Sequence, residues 1–216
     1  ITGGDDGLVC KWSVGNMAHR SSSDQTKKIA PAMVCSKVLR QRKEHGVMDY
    51  EVKRRLKCRG IGISASGKLA AVGCADGSIV MLRIPDEEDA RKGATFEILA
   101  VKNLPDANSA IDVVRFSPDD KMLAIGSHDN YVEIFDLPNE DECAGGKYRI
   151  KKRHRCKGHS SFITGLDWSS DSCVIQSNCA GREILYWDAA TGQQKRSTLD
   201  SVESDTDWAT WTCQLG

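Results

Sequence analysis

The sequence lacks the features that define several common classes of protein. Neither charge is in excess, since 30 lysines and arginines balance 30 aspartates and glutamates, and this balance points to neither nucleic acid nor a membrane surface as a partner. No stretch approaches the ~18–20 apolar residues of a transmembrane helix. The chain has no C-x-x-C pair, no phosphate-binding glycine loop and no nucleophile motif. The sequence therefore indicates neither a cofactor nor an enzyme.

Disulfide pairing is not indicated either. The nine cysteines are odd in number and are spread along the chain without paired spacing. A small secreted domain held together by disulfides shows an even set at regular intervals. The simpler interpretation is a reduced, intracellular protein whose cysteines serve as small buried apolar side chains.

What the sequence does contain is a repeated pattern of turns and strands, clearest at residues 117–136. A turn at 117–120 precedes an apolar run at 122–125, and a second turn at 128–130 precedes β-branched and aromatic residues at 131–135. Runs of this composition between turns rich in Pro, Asp and Asn predict a β-hairpin. Because the first run is apolar throughout, we expect both faces of the hairpin to be covered.

The pattern recurs on both sides of this hairpin, and the copies align position by position. Residues 64–82 and 169–188 repeat the whole pattern, and residues 1–14 repeat its second half. One set of equivalent positions holds large apolar residues and another holds turn aspartates: Trp12, Leu82, Phe135 and Trp187, and then Asp6, Asp76 and Asp129. Repetition of this kind predicts an array of similar β-units.

The repeat also predicts how the chain is divided. Residues 1–56 hold the end of a first unit and a basic insertion, which we place in a loop at one rim. Complete second, third and fourth units occupy residues 57–102, 109–157 and 158–200. Residues 207–216 are predicted to be the first strand of a further unit.

The fourth unit begins with Gly158-His159 and ends with Trp187-Asp188. This pairing resembles the WD-repeat β-propeller, in which each unit is a four-stranded blade. Longer stretches are similar to the C-terminal propeller of the echinoderm microtubule-associated protein-like family: GHSSFITGLDWSSDS (158–172), EILYWD (183–188), LAIGSHDNYVEIFD (123–136) and DWATWTCQLG (207–216). The resemblance implies an all-β fold, a partial WD-repeat propeller that is incomplete as given, with about three full four-stranded blades and fragments of two.

The resemblance also implies a function. It implies a non-enzymatic cytoskeletal protein of the cytoplasm that binds tubulin or the microtubule lattice, including the axoneme of cilia, with other axonemal proteins as further partners and no cofactor. The remaining blades of the same longer protein are expected partners too, because a propeller needs at least about four complete blades to close. We expect residues 1–216 alone to expose apolar blade faces and to aggregate. A monomeric product that unfolds cooperatively would contradict this expectation.

Several polar residues that resemble catalytic groups have a structural explanation in this pattern. Because they sit at repeating positions, we predict that these residues organise turns and hydrogen-bond the strands within blades: Asp6, Asp76, Asp129 and His159. Large aromatic residues at the blade ends are predicted to fill the space between sheets: Trp12, Phe135 and Trp187. Gly181 stands where the family usually carries the tight-turn aspartate.

Two further sets of polar residues also have a non-catalytic interpretation. Asp119 and Asp120 fall in a surface turn, and we predict that they are solvated. Ser160 and Ser161 lie beside His159, but the sequence shows no group that would activate a serine nucleophile.

A zinc site is the main alternative for the cysteines near the fourth unit. The possible ligands are Cys156, His159, Cys173 and Cys179, with His154 close by. Their spacing matches no common zinc motif, and His159 already has a predicted place in the blade. We therefore predict no metal site.

The densest basic run lies on the predicted outer strand of the third unit and has seven members: Lys147, Arg149, Lys151, Lys152, Arg153, Arg155 and Lys157. Alternate residues of a strand face opposite ways, so only part of the run can form one patch. The run favours either attraction to an acidic surface such as the tails of tubulin, or a solvated blade edge whose lysines discourage edge pairing. A propeller adaptor or scaffold in another protein complex is the alternative function.

Overall fold

The computed structural model describes residues 1–13, 32–38, 40–41, 54–104, 109–139, 148–195 and 206–213. Side chains are described within these ranges except at 12–13, 32–41 and 54–55. These parts of the chain form antiparallel sheets, and their one helix is the short α1 at Glu87–Arg91. In the parts described, no helical segment is both long and apolar enough to cross a lipid bilayer.

Three four-stranded sheets of the same connectivity account for most of the fold. The strands in chain order are β1 Thr2–Gly3, β2 Leu8–Ser13, β3 Ala32–Val38, β4 Arg40–Gln41, β5 Arg54–Arg55, β6 Cys58–Ile63, β7 Leu69–Cys74, β8 Ser78–Arg83, β9 Glu97–Asn103, β10 Ile111–Phe116, β11 Met122–Ser127, β12 Tyr131–Asp136, β13 Lys151–Lys157, β14 Ile163–Trp168, β15 Val174–Cys179, β16 Ile184–Asp188 and β17 Gln194–Lys195. The sheets are β6 to β9, β10 to β13 and β14 to β17, each pairing sequential strands. We call them the second, third and fourth blades. The first blade contributes β1 to β3, and β4 pairs with β5.

The equivalent turns of the blades, between β1 and β2, β7 and β8, β11 and β12, and β15 and β16, share a residue with left-handed backbone. Gly7, Gly77, Asn130 and Arg182 stand at this position with φ between 61° and 79°. Glycine and asparagine accept this conformation, whereas a longer side chain is strained by it. Arg182 is therefore the exception in an otherwise compatible set.

The apolar core lies between neighbouring blades. In the central strand β11, Leu123 and Ile125 pack with residues of the second blade, while Ala124 packs with residues of the fourth blade. All three are fully buried, which explains why this run is apolar throughout. Full burial of one leucine or isoleucine side chain contributes about 1.5–3 kcal/mol.

Two glycines mark where the blades approach most closely. A Cβ added to Gly73 would lie 2.5 Å from Cγ2 of Ile111, and a Cβ added to Gly126 would lie 2.4 Å from Cγ2 of Ile163. Each glycine is the next-to-last residue of the second strand of its blade and contacts the first strand of the next blade. These two contacts leave no room for a side chain where the second blade meets the third and the third meets the fourth, whereas the fourth blade has Asn178 at the equivalent position.

Each complete first strand carries a β-bulge at the same position. The register skips Arg59 in β6, Asp112 in β10 and Thr164 in β14. Bulges of this kind re-aim a side chain away from the regular pleat. Two of these residues, Arg59 and Asp112, pair with each other across adjacent blades at 3.0 Å.

The outer strands carry a second repeated bulge. In the third blade the register passes from Ile134 opposite His154 to Phe135 opposite Lys152, which leaves Arg153 as the extra residue. Equivalent irregularities occur between β2 and β3 and between β8 and β9.

Residues 206–213 contact the fourth blade without forming a strand of their own. Ser169 and Trp208 form a single antiparallel bridge, and the Trp208 ring stacks on Tyr186 with centroids 6.0 Å apart. The strand over residues 207–216 thus stays a prediction.

Candidate partner-binding surface

The aspartates of the tight turns use their oxygens within the turns. Oδ1 of Asp6 accepts from the Leu8 amide at 3.0 Å, and Oδ1 of Asp76 accepts from the Ser78 amide at 3.1 Å. Asp129 accepts from the amide of Tyr131 at 3.3 Å and from the hydroxyl of Ser127. These contacts fix the start of the following strand and support the structural role predicted for them.

His159 is the centre of a buried polar network in the fourth blade. Its Nε2 lies 2.7 Å from Oγ of Ser177, which in turn accepts from Nε1 of Trp187 at 2.7 Å. The side chain of His159 has no exposed surface, and this burial lowers its pKa. Phe135 of the third blade is likewise fully buried, whereas the side chain of Trp12 falls outside the described residues.

Glu183 also contacts this network. The fourth blade has Gly181 where the other blades have a turn aspartate. One Glu183 oxygen accepts from the Ser160 amide at 2.8 Å and lies 3.5 Å from Nδ1 of His159. The hydrogen bond from the Ser160 amide, assisted by the Ser160 hydroxyl and by the Cys179 thiol, lowers the pKa of Glu183 to about 2. Sequence reasoning missed Glu183, although a carboxylate just beyond Gly181 was the available signal.

One group of possible metal ligands occurs among the described side chains. Donor atoms of His159, Cys179 and Glu183 all lie within 4.8 Å of one another. A histidine, a thiol and a carboxylate suit zinc chemically. Glu183 already accepts hydrogen bonds from the Ser160 amide and the Cys179 thiol, so we interpret the group as part of the polar contacts within the blade. Of the other cysteines considered for zinc, Cys156 is buried and Cys173 is exposed.

The prediction that Asp120 is solvated is wrong, because Asp120 binds backbone amides of the neighbouring blade. Its carboxylate accepts from the backbone amides of Ala65 at 2.6 Å and of Ser66 at 2.9 Å. The third blade thereby holds a turn of the second blade. Asp119 accepts instead from Ser117 of its own turn at 2.6 Å.

The structure divides the predicted basic run into groups with different roles. Lys152 and Arg155 both reach one oxygen of Glu133, at 2.5 Å and 2.6 Å. The side chain of Glu133 is only 1% exposed. The bulge at Arg153 makes this possible, because it places Lys152 and Arg155 on the same face of β13 as Glu133 and Phe135 occupy on β12. One buried carboxylate thus holds two cations, whose side chains remain 31% exposed at Lys152 and 22% exposed at Arg155.

The last residues of β13, opposite Tyr131, form a third arrangement. Arg155 and Lys157 lie over the ring of Tyr131, at 4.9 Å and 5.5 Å from its centroid. Such cation–π contacts are worth about 0.5–1 kcal/mol at exposed sites. Lys157 remains exposed, and Lys147 lies outside the described residues.

The other cations line a cavity of about 440 Å³ at the start of β13. Its charged lining residues are Lys121, Arg149, Lys151, Arg153, Asp119 and Asp136. Nη1 of Arg153 contacts Oδ1 of Asp136 at 2.7 Å, and Nζ of Lys121 lies 3.8 Å from Oδ2 of Asp119. This cavity is a concave, charged feature of the third blade.

A second charged cluster lies at the first-strand bulges, and sequence reasoning missed it. Asp112 contacts Nε of Arg59 at 3.0 Å and Nε2 of His128 at 2.6 Å. Burial acts to raise the pKa of Asp112, but the hydrogen bonds from Arg59 and His128 outweigh it and the pKa is lowered. The ring centroids of Phe162 and His128 lie 4.8 Å apart. Phe162 as a whole residue is 39% exposed.

The repeated four-stranded blades, packed face to face, define a WD-type β-propeller, of which the chain is a part. Solved propellers share this arrangement. The beta-propeller domain of Myceliophteria thermophila Cps50 (Swd1) has a TM-score of 0.52 and 16% identity, and the match covers 65% of this chain and 43% of that one. The WD40 repeats of RRP9 have a TM-score of 0.52 and 18% identity over 66% of this chain and 38% of their own.

The family model described as the echinoderm microtubule-associated protein second beta-propeller matches residues 1–216, and the chain belongs to this family. The 77 kDa echinoderm microtubule-associated protein of Strongylocentrotus purpuratus is 37% identical over 74% of the chain. Echinoderm microtubule-associated protein-like 2 of Rattus norvegicus is 41% identical over 73% of the chain. The matches span 20% and 21% of these relatives, so the chain corresponds to about a fifth of their length. The predicted family and fold class are confirmed.

Proposed function

We propose that the protein is a non-enzymatic microtubule-associated protein of the cytoplasmic cytoskeleton that binds tubulin or the microtubule lattice. The observation that carries this proposal is membership of a family whose relatives are named as microtubule-associated proteins. The polar residues at the repeated turns support the non-enzymatic part, because their oxygens are engaged in the turns and strands. The proposal includes axonemal microtubules and requires no cofactor.

The basic residues of β13 and the adjoining cavity supply a surface suited to such a partner. Arg149, Lys151 and Lys157 are exposed on this side of the third blade. Cations at an exposed surface attract an acidic partner over roughly one Debye length, about 8–10 Å at physiological salt. We therefore assign initial contact with acidic tubulin surfaces to this blade.

Co-sedimentation of the full-length protein with microtubules tests the proposal. We expect the protein to pellet with microtubules at low salt and to be released progressively as salt is raised, because screening weakens contacts between exposed charges. Absence of binding at low salt would overturn the proposal. Immunofluorescence of ciliated cells tests the axonemal part, for which we expect a signal along the cilium.

A peptide-binding adaptor is the second candidate, and the exposed Phe162 beside His128 favours it. An exposed aromatic residue beside a charged cluster, here His128 with its contact to Asp112, is a common kind of anchor for a peptide partner. This candidate expects Phe162→Ala to abolish binding to a cellular partner while leaving co-sedimentation with microtubules unchanged. Loss of co-sedimentation in that variant would count against it.

A further inference from the structure

Among the equivalent turns of the four blades, the one between β15 and β16 has the residue least suited to its backbone. Arg182 adopts φ 61° where the other blades have glycine or asparagine, while a glycine stands one residue earlier, at Gly181. A long side chain is strained in this conformation, and backbone strain of this kind collects at functional positions. A role of the Arg182 side chain in binding would explain why an arginine occupies this turn.

The side chain of Arg182 is an exposed cation that the fold does not use. Within the part of the chain that the structure describes, it makes no ion pair, hydrogen bond or ring contact. Its backbone is fixed, because its amide donates to the carbonyl of Cys179 at 3.0 Å. A free cation on a fixed backbone is pre-organised for an anionic partner, since less freedom is lost on binding.

The same turn packs against the loop that carries the exposed Phe162. The amide of Ala180 donates to the carbonyl of Phe162 at 3.0 Å, and a Cβ added to Gly181 would lie 2.8 Å from Oγ of Ser160. The ring of Phe162 contacts that of His128 and stays partly exposed. An exposed aromatic side chain and a free cation therefore lie on adjoining segments at one rim of the fourth blade.

The two carboxylates near Phe162 are engaged within the fold. Asp112 contacts Arg59 and His128. Glu183 accepts from a backbone amide of the loop before Phe162 at 2.8 Å. These contacts hold both carboxylates in place within the blades, and neither forms an ion pair with the adjacent turn arginine.

Two cations flank Phe162 and form no ion pair among the described residues. One is Arg182, and the other is Lys157 at the end of β13, which lies over the ring of Tyr131 at 5.5 Å from its centroid. Cations at a surface concentrate ligands of the opposite charge, and an exposed aromatic ring offers apolar contact area beside them. The surface thus fits an acidic segment that has an apolar residue next to its carboxylates.

We propose that Arg182, Lys157 and Phe162 form a binding site for an acidic peptide segment, whose carboxylates contact the two cations and whose apolar side chain packs on the aromatic ring. The inference rests on the proposed function, because the acidic tails of tubulin are the source of the segment. It goes further in placing the site at one rim of the fourth blade. It also expects Phe162→Ala to weaken binding to microtubules, which is the opposite of what the adaptor candidate expects.

Fluorescence anisotropy of labelled peptides with the full-length protein tests the site directly. The probes are an oligoglutamate peptide with one central phenylalanine and the same peptide with alanine in its place. We expect Arg182→Asn to weaken binding of both peptides by about three- to fivefold, the scale of an exposed ion pair. Because asparagine suits the left-handed backbone, this variant is not expected to lose stability, and unfolding cannot account for the weaker binding.

The two probes separate the aromatic contact from the charge. We expect the wild type to bind the phenylalanine peptide about three- to tenfold more tightly than the alanine peptide. Phe162→Ala should bind the two peptides equally. A preference for the phenylalanine peptide that survives in this variant would overturn the inference, as would the absence of any such preference in the wild type.

Two further variants serve as controls. Lys68→Gln removes an exposed cation from the turn between β6 and β7, at the opposite ends of the strands, and should change affinity by less than about twofold. Arg182→Lys keeps both the charge and the strain, and should also stay within about twofold of the wild type. The inference fails if neither peptide binds, if Lys68→Gln loses as much as Arg182→Asn, or if Arg182→Lys does.

Co-sedimentation with intact microtubules and with microtubules whose acidic tails have been removed by subtilisin separates this inference from the proposed function. We expect the wild-type protein to bind the treated microtubules more weakly than the intact ones, and Arg182→Asn to narrow this difference. If the wild-type protein binds both kinds equally, the inference fails while microtubule binding stands. If it binds neither kind, the proposed function fails and the inference fails with it.

Discussion

The carboxylate of Glu183 lies 3.5 Å from Nδ1 of His159, and it does so from a position two residues beyond the turn glycine Gly181. The turn aspartates of the other blades accept from the amide two residues further on, whereas Glu183, just before β16, contacts the segment that opens its blade. The longer glutamate side chain reaches back to the Ser160 amide as well. The fourth blade therefore keeps its polar network without the usual aspartate.

Glu183→Gln tests this arrangement through its dependence on pH. The folded protein lowers the pKa of Glu183 from 4.5 to about 2, so the carboxylate contributes its full stability above pH 4.5 and loses it as the pH falls through 2. We expect the variant to melt at a lower temperature at pH 7 and to lose less stability than the wild type between pH 5 and pH 2.5, values set by this window. Calorimetry across that range measures it, with exposed Glu88→Gln as control. Parallel pH profiles in the wild type and the variant would contradict the assignment.

Asp120→Asn tests the link between the second and third blades. Asparagine accepts the left-handed backbone that Asp120 adopts at φ 58°, so backbone strain does not change. Its amide group cannot accept both hydrogen bonds from Ala65 and Ser66, and we expect the free energy of unfolding to fall by about 1–2 kcal/mol. Urea denaturation of the full-length protein measures this, and Asp89→Asn in the exposed helix serves as control. A variant as stable as the control would show that the two amides need no charged acceptor.

Glu133→Ala tests the buried ion pairs of the third blade. Removing the carboxylate leaves Lys152 and Arg155, which are 31% and 22% exposed, without their shared partner, and loss of hydrogen bonds to a charged group costs about 1.5–3 kcal/mol. The control is Asp136→Ala, which removes a more exposed pair with Arg153 on the same strands and is expected to cost less than about 1 kcal/mol. Chemical denaturation compares the two, and similar losses would be inconsistent with a special role for Glu133.

Arg182→Asn is predicted to stabilise the fourth blade. Arg182 has φ 61° where the third blade has Asn130, and a non-glycine residue pays roughly 1–2 kcal/mol for this conformation, less for asparagine. We expect a gain of about 0.5–1 kcal/mol in the free energy of unfolding, measured by urea denaturation. Arg182→Ala removes the same side chain but keeps the strained left-handed backbone, so we expect no gain in the free energy of unfolding. An equal gain in both variants would mean that the arginine side chain is unfavourable for another reason.

The repeat, its strands and the core of the blades could be predicted from the sequence because their causes are local. The apolar run of β11 indicates that both faces of the strand are buried, and Asp129 and Asn130 indicate a tight turn with left-handed backbone. The shared positions of Phe135 and Trp187 then follow from the alignment of the copies. These features can be recognised in the sequence without knowing how the blades pack against one another.

The contacts across blades could not be predicted in the same way. Asp120 looks like any solvated turn aspartate until the backbone of the second blade is placed beside it. Likewise, strict alternation along β13 would place Lys152 and Arg155 on opposite faces, and only the bulge at Arg153 puts them together. A single extra residue in a register leaves no mark in composition or periodicity.

That extra residue also lets one strand present cations to both faces of its sheet. Lys152 and Arg155 reach a carboxylate that is 1% exposed, whereas Arg153 between them reaches Asp136, which is 42% exposed. Neighbouring basic residues of β13 therefore differ in what their replacement would cost the blade.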